Sequence, residues 1–166
     1  CSKINNSNGN PVEIDSETFQ LLAFADQCYQ MSQGMFDITS GVLRKIWTFN
    51  GGDKMPLAAE VKAILPAISW PKVKFDQTSV ILPQGMEIDF GGIGKEYAVD
   101  RVTAMLKQAA PNLSIVINFG GDLCVTKPKA NNDTWTIGIE NPGLNDQGKV
   151  AVQIRQGALA TSGDAR

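Results

Sequence analysis

The chain has 166 residues, of which 43% are hydrophobic and 19% charged; this is an ordinary composition for a globular domain long enough to bury one core. Its net charge of −2 and the scattered positions of its 15 basic residues argue against a nucleic-acid-binding protein, because binding a phosphate backbone needs a basic face. The sequence contains no histidine, which excludes Ser-His-Asp catalysis, Cys-His catalysis and zinc-histidine sites within it.

The first part of the chain predicts one short strand followed by helices. "NPVEID" predicts the strand, and Asp15 or Ser16 then caps a helix that runs to about Met31. The apolar face of this helix is predicted to comprise Leu21, Phe24, Ala25, Cys28 and Met31. A short helix is expected to start at Ser40 or Gly41, with Val42, Leu43, Ile46 and Trp47 directed toward the core, and another helix to cover residues 58–65.

The second part predicts strands on either side of one long helix. "KVKFD", "SVILP" and "MEIDF" predict three strands, and a helix follows from Gly94 to about Ala109, with Ala98, Val102, Met105 and Leu106 on its packed side. "SIVINF" is typical of a strand buried on both faces, and "DLCVT", "WTIGIE", "KVAVQIR" and "GALAT" predict further strands. We therefore expect an α+β fold, with mixed or antiparallel sheets flanked by helices in a single domain over residues 1–166.

The segment "EIDFGGIGKE" places three glycines between a strand and a helix. Glycines at a helix start let backbone N–H groups converge on an anion, and Lys95 adds a positive charge there. Asp89, at the end of the strand, would repel a bare phosphate, so the pattern indicates a magnesium-phosphate site or a polar nucleotide group. Alternatively, the glycines only permit tight packing and Asp89 caps the helix. The spacing matches neither the P-loop nor the Rossmann fingerprint.

Three other polar segments have a structural and a functional interpretation. Gly120 and Gly121, flanked by Asn118 and Asp122, predict either a β-hairpin turn or a close approach to a ligand. Asp37 in "GMFDITSG" is either a turn or capping residue or part of a site. The end of the chain crowds polar side chains around one glycine, which by itself indicates a polar turn: Thr161, Ser162, Asp164 and Arg166.

Taken in order, five segments resemble successive motifs of the ApbE family, the FAD:protein FMN transferases: "GMFDITSGVLRKIWTF", "IDFGGIGKEYAVDRV", "INFGGDLCV", "WTIGIENP" and "ALATSGDAR". The resemblance extends from "SKIN" near the start to the last residue. It implies an ApbE-like α+β fold related to the T-fold. It also implies binding of FAD and use of Mg²⁺.

The resemblance implies roles for individual residues but assigns no catalytic residue. Positions that match FAD-binding segments of the family are Met35, Phe36, Asp37, Asp89 and Lys95. Positions expected to support or line the same cavity are Gly120, Gly121, Asp122, Thr161, Ser162 and Asp164. Gly92 matches the position whose backbone carbonyl ligates the metal.

The implied reaction moves the FMN half of FAD onto a threonine hydroxyl of a target protein and releases AMP. Two alternatives remain open: a FAD pyrophosphatase that gives FMN and AMP, and a FAD-binding module without catalysis. The implied partner is a flavoprotein subunit of a membrane redox complex, and no nucleic acid is expected. The implied location is the bacterial periplasm or the outer face of the inner membrane, with a lipid anchor.

The three cysteines show no metal-ligand spacing. Cys28 and Cys124 are expected to be buried thiols, whereas Cys1 either marks a processing boundary or carries a lipid. No stretch approaches the roughly 20 apolar residues of a membrane span.

The sequence also departs from the family pattern. Relatives continue past the position of Arg166 with further metal ligands, and they have a glycine where this chain has Glu96. We therefore expect part of a flavin transferase domain, incomplete at both ends and inactive or nearly so by itself.

Overall fold

A computed structural model describes residues 1–47, 55–139 and 150–161 of the chain. The chain divides into two compact units, Cys1–Gly92 and Ile93–Arg166. The single domain expected over residues 1–166 stays a prediction. Helices are interspersed with small antiparallel sheets in the described residues, which confirms the α+β class.

The first unit combines helices with a three-stranded antiparallel sheet, in which the last of its three strands in sequence lies between the other two. Its helices are α1 (Ser2–Asn5), α2 (Ser16–Met31) and α3 (Ala58–Ile64), with 3₁₀ helices at Ile38–Lys45, Leu65–Ala67 and Trp70–Lys72. Its strands are β1 (Val12–Glu13), β2 (Lys74–Phe75) and β3 (Ser79–Ile81). Fully buried side chains form its core: Leu22, Thr39, Val42, Val80, Leu82 and Ile88.

Helix α2 has nearly the predicted bounds, but its predicted apolar face is partly wrong. Leu22 and Ala25 are buried, whereas Phe24 and Met31 are exposed. Asp26 lies one turn after Leu22 and accepts a hydrogen bond of 2.7 Å from the indole Nε1 of the buried Trp70. This contact holds the side of the helix that carries Leu22 toward the core, so Met31 is left in solvent.

The predicted strand "MEIDF" is also wrong. Residues 86–90 pair with no strand among the described residues; instead the side-chain amide of Asn5 pairs with the backbone of Ile88. Asn5 Nδ2 donates to the Ile88 carbonyl at 3.0 Å, and Ile88 N donates to Asn5 Oδ1 at 2.9 Å. Asp89 N donates to the Ile38 carbonyl at 2.8 Å. A side chain and a 3₁₀ helix thus take the place of a neighbouring strand.

The second unit packs one helix against a three-stranded antiparallel sheet, and its other two strands form a separate antiparallel pair. Its elements are α4 (Gly94–Ala109), β4 (Val116–Phe119), β5 (Asp122–Val125), a 3₁₀ helix (Ala130–Asn132), β6 (Trp135–Ile139), β7 (Val150–Ile154) and β8 (Gly157–Leu159). None of the helices in the described ranges is long and apolar enough to cross a bilayer.

Two burial predictions for this unit need correction. Helix α4 buries Val99 and Thr103, with Val102 and Leu106 beside them, while Met105 is exposed. Within β4 only Ile117 is buried; β5, which lies between β4 and β8, is the strand buried along its whole length. The central position in the sheet decides burial here, not the length of the apolar run.

Cys124, on β5, is buried as expected, and Cys28 is half-buried.

Candidate functional site

A cleft of about 540 Å³ opens in the first unit, within the range of small-molecule pockets. It lies between residues 35–47 and 89–92, the segments that carry the first two family-like motifs. Its walls are Met35, Phe36, Asp37, Ile38, Ser40, Gly41, Leu43, Arg44, Trp47, Asp89, Gly91 and Gly92. The structure therefore brings together five of the residues predicted from the sequence: Met35, Phe36, Asp37, Asp89 and Gly92.

Asp37 holds the 3₁₀ helix Ile38–Lys45 in place. Its Oδ1 accepts hydrogen bonds from Thr39 N at 2.8 Å and Thr39 Oγ1 at 2.6 Å, and its Oδ2 accepts one from Trp70 N at 3.0 Å. Thr39 Oγ1 in turn accepts from Ser69 N at 2.9 Å. Asp37 is thus the N-cap of the helix, as the structural interpretation held, and both of its oxygens are bonded within the protein. Its contact with FAD stays a prediction.

Glycines let the backbone close tightly around this cleft. A Cβ built at Gly41 would lie 2.8 Å from Asp89 Cβ and 3.1 Å from the Ile88 carbonyl carbon, and one at Gly92 would lie 3.0 Å from Phe36 Cε2. Real Cβ contacts of this length are rare. Both glycines serve close packing, and for Gly92 this was one of the two interpretations of the segment "EIDFGGIGKE".

Asp89 does not cap helix α4. Its Oδ1 accepts a hydrogen bond from Gly91 N at 2.8 Å, which closes a local turn, and α4 begins after Ile93 with no side-chain cap among the described residues. Gly91 N is therefore bonded internally and not directed at an anion. Asp89 Oδ2 has no hydrogen-bond partner in the described ranges, and the residue is exposed on the cleft wall.

In the second unit, Lys95 and Asp122 form an ion pair, with Lys95 Nζ 3.1 Å from Asp122 Oδ2. Asp122 is only 2% exposed, and its Oδ1 accepts a hydrogen bond from Thr161 N at 2.9 Å. The Thr161 N–H and then the Lys95 ammonium hold the pKa of Asp122 below its usual value, against the opposing effect of burial. The Lys95 side chain remains half exposed, so its ammonium group is accessible while Asp122 holds it.

The Gly120-Gly121 pair forms the two-residue turn between β4 and β5, which confirms the hairpin interpretation. Phe119 pairs with Asp122 across the turn, and both glycines have positive φ, +64° and +104°, as such a turn requires. A Cβ on Gly121 would collide with Thr161 Oγ1. The structure thus groups Lys95, Gly121, Asp122 and Thr161; the predicted Ser162 and Asp164 lie outside the described residues.

One charged group beside the cleft was missed from the sequence. Glu87 Oε2 lies 2.7 Å from Arg44 Nη2, and Glu87 Oε1 lies 2.8 Å from Lys45 Nζ. The Lys45 bond, followed by that of Arg44, lowers the pKa of Glu87 below its usual value. In the sequence, only the adjacent basic residues Arg44 and Lys45 of the first motif hinted at this group. No neighbouring residue indicated that Glu87 would be their acidic partner.

The described residues do not by themselves complete a magnesium site. Mg²⁺ prefers six oxygen ligands in an octahedron. In the described ranges no three Asp, Glu or Cys side chains gather closely enough to hold a metal. The carbonyl of Gly92 as a metal ligand therefore stays a prediction.

Comparison with known proteins gives concordant results. Residues 1–166 match the sequence model described as the ApbE family. A FAD:protein FMN transferase of Klebsiella pneumoniae (strain 342) is 32% identical over 166 residues, which cover 96% of this chain and 50% of that protein. A FAD:protein FMN transferase of Haemophilus influenzae is 25% identical, with 94% and 48% covered. The chain thus spans about half the length of the curated relatives it matches.

Solved structures show the same fold. The ApbE protein from Thermotoga maritima superposes with a TM-score of 0.83 at 32% identity, over 98% of this chain and 54% of that one. The flavin transferase ApbE from Vibrio cholerae gives a TM-score of 0.80 at 26% identity, over 99% and 55%. These superpositions confirm the expected ApbE-like fold.

Proposed function

Because the chain belongs to the ApbE family, we propose that it binds FAD and serves in the transfer of FMN from FAD to a threonine hydroxyl of a target protein. The observation that carries this proposal is the cleft of the first unit. It has a volume suited to a nucleotide or a flavin ring, and its walls are the two segments that carry the first two of the five family-like motifs. The names of the relatives support the same substrate.

Two aromatic side chains, Phe36 and Trp47, line the cleft. Planar rings stack favourably on such side chains. Asp89 Oδ2 offers an acceptor for a hydroxyl or ring N–H of the ligand. The hydrogen bond from Gly91 N to the other oxygen, Oδ1, fixes the carboxylate. Asp37 is a positioning residue, since its carboxylate fixes the start of the helix that forms one wall.

In the second unit, we propose that Lys95 neutralises charge on the nucleotide phosphates. Lys95 lies in the first turn of α4, where the helix dipole adds to its charge. Asp122 is its positioning residue, because a buried carboxylate bonded to Thr161 N holds the ammonium in one place. Gly120 and Gly121 shape the turn that carries Asp122.

In the proposed reaction, the threonine oxygen forms a bond to the phosphorus of the FMN half. The bond between that phosphorus and the oxygen leading to AMP breaks, AMP leaves, and the threonine proton passes to a base. Such transfers depend mainly on positioning and charge neutralisation. Bound Mg²⁺ would add charge neutralisation at the phosphates. None of the described residues is assigned as the base.

The proposal is tested in two stages with the 166-residue chain. FAD is first titrated while the fluorescence of the protein and of the flavin is followed. The chain is then incubated with FAD, Mg²⁺ and a threonine-bearing target domain, and flavin fluorescence in a denaturing gel and AMP are measured. A fluorescent target band with equimolar AMP supports the transferase. AMP without a labelled target indicates the pyrophosphatase. Binding without AMP agrees with the inactivity expected of this chain by itself, which then acts only as a FAD-binding module. Absence of FAD binding refutes the proposal.

We also propose a setting, supported by the family resemblance alone. The protein would act in the bacterial periplasm or on the outer face of the inner membrane, held by a lipid anchor, on a flavoprotein subunit of a membrane redox complex. Fractionation of cells tests this. Release by detergent but not by osmotic shock would support the anchor, and recovery in the cytoplasmic fraction would contradict the setting.

A further inference from the structure

Arg44 is the one cation among the described residues that line the cleft. Its Nη2 lies 2.7 Å from Glu87 Oε2, and Lys45 Nζ lies 2.8 Å from the other Glu87 oxygen. Glu87 is 15% exposed, so its position is fixed by its surroundings, whereas Arg44 is 55% exposed. One carboxylate is thus shared by two cations, so this group of three side chains carries one net positive charge, while the carboxylates of Asp37 and Asp89 lie elsewhere on the cleft walls.

The chemistry of this group favours an anion as its partner. A guanidinium has five N–H donors in a planar fork that matches phosphate oxygens, and the Glu87 contact is made through Nη2. The carboxylates of Asp37 and Asp89 differ in how many of their oxygens are already bonded. Asp37 accepts hydrogen bonds within the protein at both oxygens, whereas Asp89 keeps one oxygen open among the described residues. The cleft therefore combines an acceptor for ligand hydroxyl or N–H groups with a donor for ligand oxyanions.

We propose that Arg44, oriented by Glu87, binds a phosphate oxygen of the flavin nucleotide and so favours phosphorylated flavins over riboflavin. This inference rests on the proposed function, since it names the part of the substrate that this wall of the cleft recognises. Glu87 is a positioning residue. Lys45 shares Glu87 but does not line the cleft, so it serves as the matched control.

The test compares FAD, FMN, riboflavin and inorganic pyrophosphate by calorimetric titration of the wild-type chain and its variants. The substitution Arg44→Gln removes a charge-assisted hydrogen bond, so FAD and FMN should bind about tenfold to a hundredfold more weakly. Riboflavin, which has no phosphate, should bind equally to both chains. Lys45→Gln should shift every affinity by less than about threefold, as expected for an exposed charge. Arg44→Lys, which keeps the charge but loses the fork, provides a second variant if Arg44→Gln does not fold.

A double variant separates positioning from a general structural effect. Glu87→Gln should weaken FAD but not riboflavin, and Glu87→Gln combined with Arg44→Gln should bind FAD no more weakly than Arg44→Gln alone. A residue that only maintained the fold would reduce riboflavin affinity as well.

The outcomes distinguish this inference from the proposed function. If FAD binds and Arg44→Gln leaves its affinity unchanged, or weakens riboflavin equally, the inference fails and the function stands. If FAD does not bind but pyrophosphate binds in a way that requires Arg44, the anion site stands and the proposed function fails. If neither ligand binds the wild-type chain, both are overturned.

Discussion

Gly41 lies where the 3₁₀ helix of the first unit meets the segment that carries Asp89. An alanine Cβ there would lie 2.8 Å from Asp89 Cβ, 3.0 Å from Asp89 N and 3.1 Å from the Ile88 carbonyl carbon. Two of these neighbours are backbone atoms, which no rotamer change can move. The substitution Gly41→Ala must therefore separate the two segments and stretch the 2.8 Å hydrogen bond from Asp89 N to the Ile38 carbonyl.

Two effects oppose each other in this variant. Alanine restricts the unfolded chain, which stabilises a protein by about 0.4–1 kcal/mol where the backbone permits it. Overpacking a close contact costs about 1–3 kcal/mol, and the stretched hydrogen bond adds to that cost. Overpacking is the larger effect, so we expect the free energy of unfolding to fall by about 1–2 kcal/mol. Because Asp89 moves with its backbone, FAD affinity should fall as well.

Urea unfolding measures the change in stability, and FAD titration measures the change in affinity. Gly138→Ala is the matched control, since a Cβ at Gly138 meets nothing within 4 Å and its backbone lies outside the left-handed region. The control should unfold within about 0.5 kcal/mol of the wild-type chain. If Gly41→Ala is as stable as the control and binds FAD with unchanged affinity, the close approach of the two segments does not constrain residue 41.

Three further variants test other contacts. Asn5→Ala removes both side-chain bonds to Ile88 and leaves buried backbone groups unpaired, so urea unfolding should show a loss of about 2–4 kcal/mol. Gly121→Ala places a Cβ against Thr161 Oγ1 at a φ of +104°, and we expect it to lower the thermal midpoint by several degrees, for a loss of about 1–3 kcal/mol. Glu87 has a lowered pKa in the folded chain. Its contribution to stability is therefore present at pH values above its pKa in the unfolded chain, and it is lost as the pH falls through its pKa in the folded chain. Glu87→Gln should therefore flatten the decline of urea stability below about pH 4.3.

A control variant or a contradicting result is available for each of these three predictions. Asn10→Ala removes an exposed side-chain bond to the Ser7 carbonyl and should cost far less than Asn5→Ala; equal losses would contradict the role of the Ile88 contact. Gly120→Ala has strain from its φ but only an ordinary contact, 3.9 Å from Lys95 Cδ, so a loss equal to that of Gly121→Ala would exclude the collision as the cause. An unchanged pH profile for Glu87→Gln would refute the pKa argument.

Features determined by neighbouring residues could be predicted from the sequence. Asp15 caps α2 through Thr18 N at 2.8 Å, and Gly120-Gly121 forms a hairpin turn, because both arrangements depend on residues within a few positions. The bounds of α4 also match the prediction. Caps, turns and long periodic helices are local properties of the chain.

Features determined by distant partners could not be predicted. The face of α2 depends on Trp70, and the backbone of residues 86–90 depends on Asn5, so periodicity alone gave the wrong result for both. The candidate site shows the same division. Five of its predicted residues lie on the cleft, but Glu87, which pairs with Arg44, is far from Arg44 in the sequence. Ion pairs across such distances leave no local pattern.

The contact between Asn5 and Ile88 joins residues that are 83 positions apart, nearly the whole length of the first unit. Contacts of such high sequence separation form late and slow the folding of a domain, because the intervening chain must first be ordered. During synthesis, the first residues must wait for the segment that carries Asp89 before they reach their native partners. The cleft wall near Asp89 should thus be among the last parts of the unit to form.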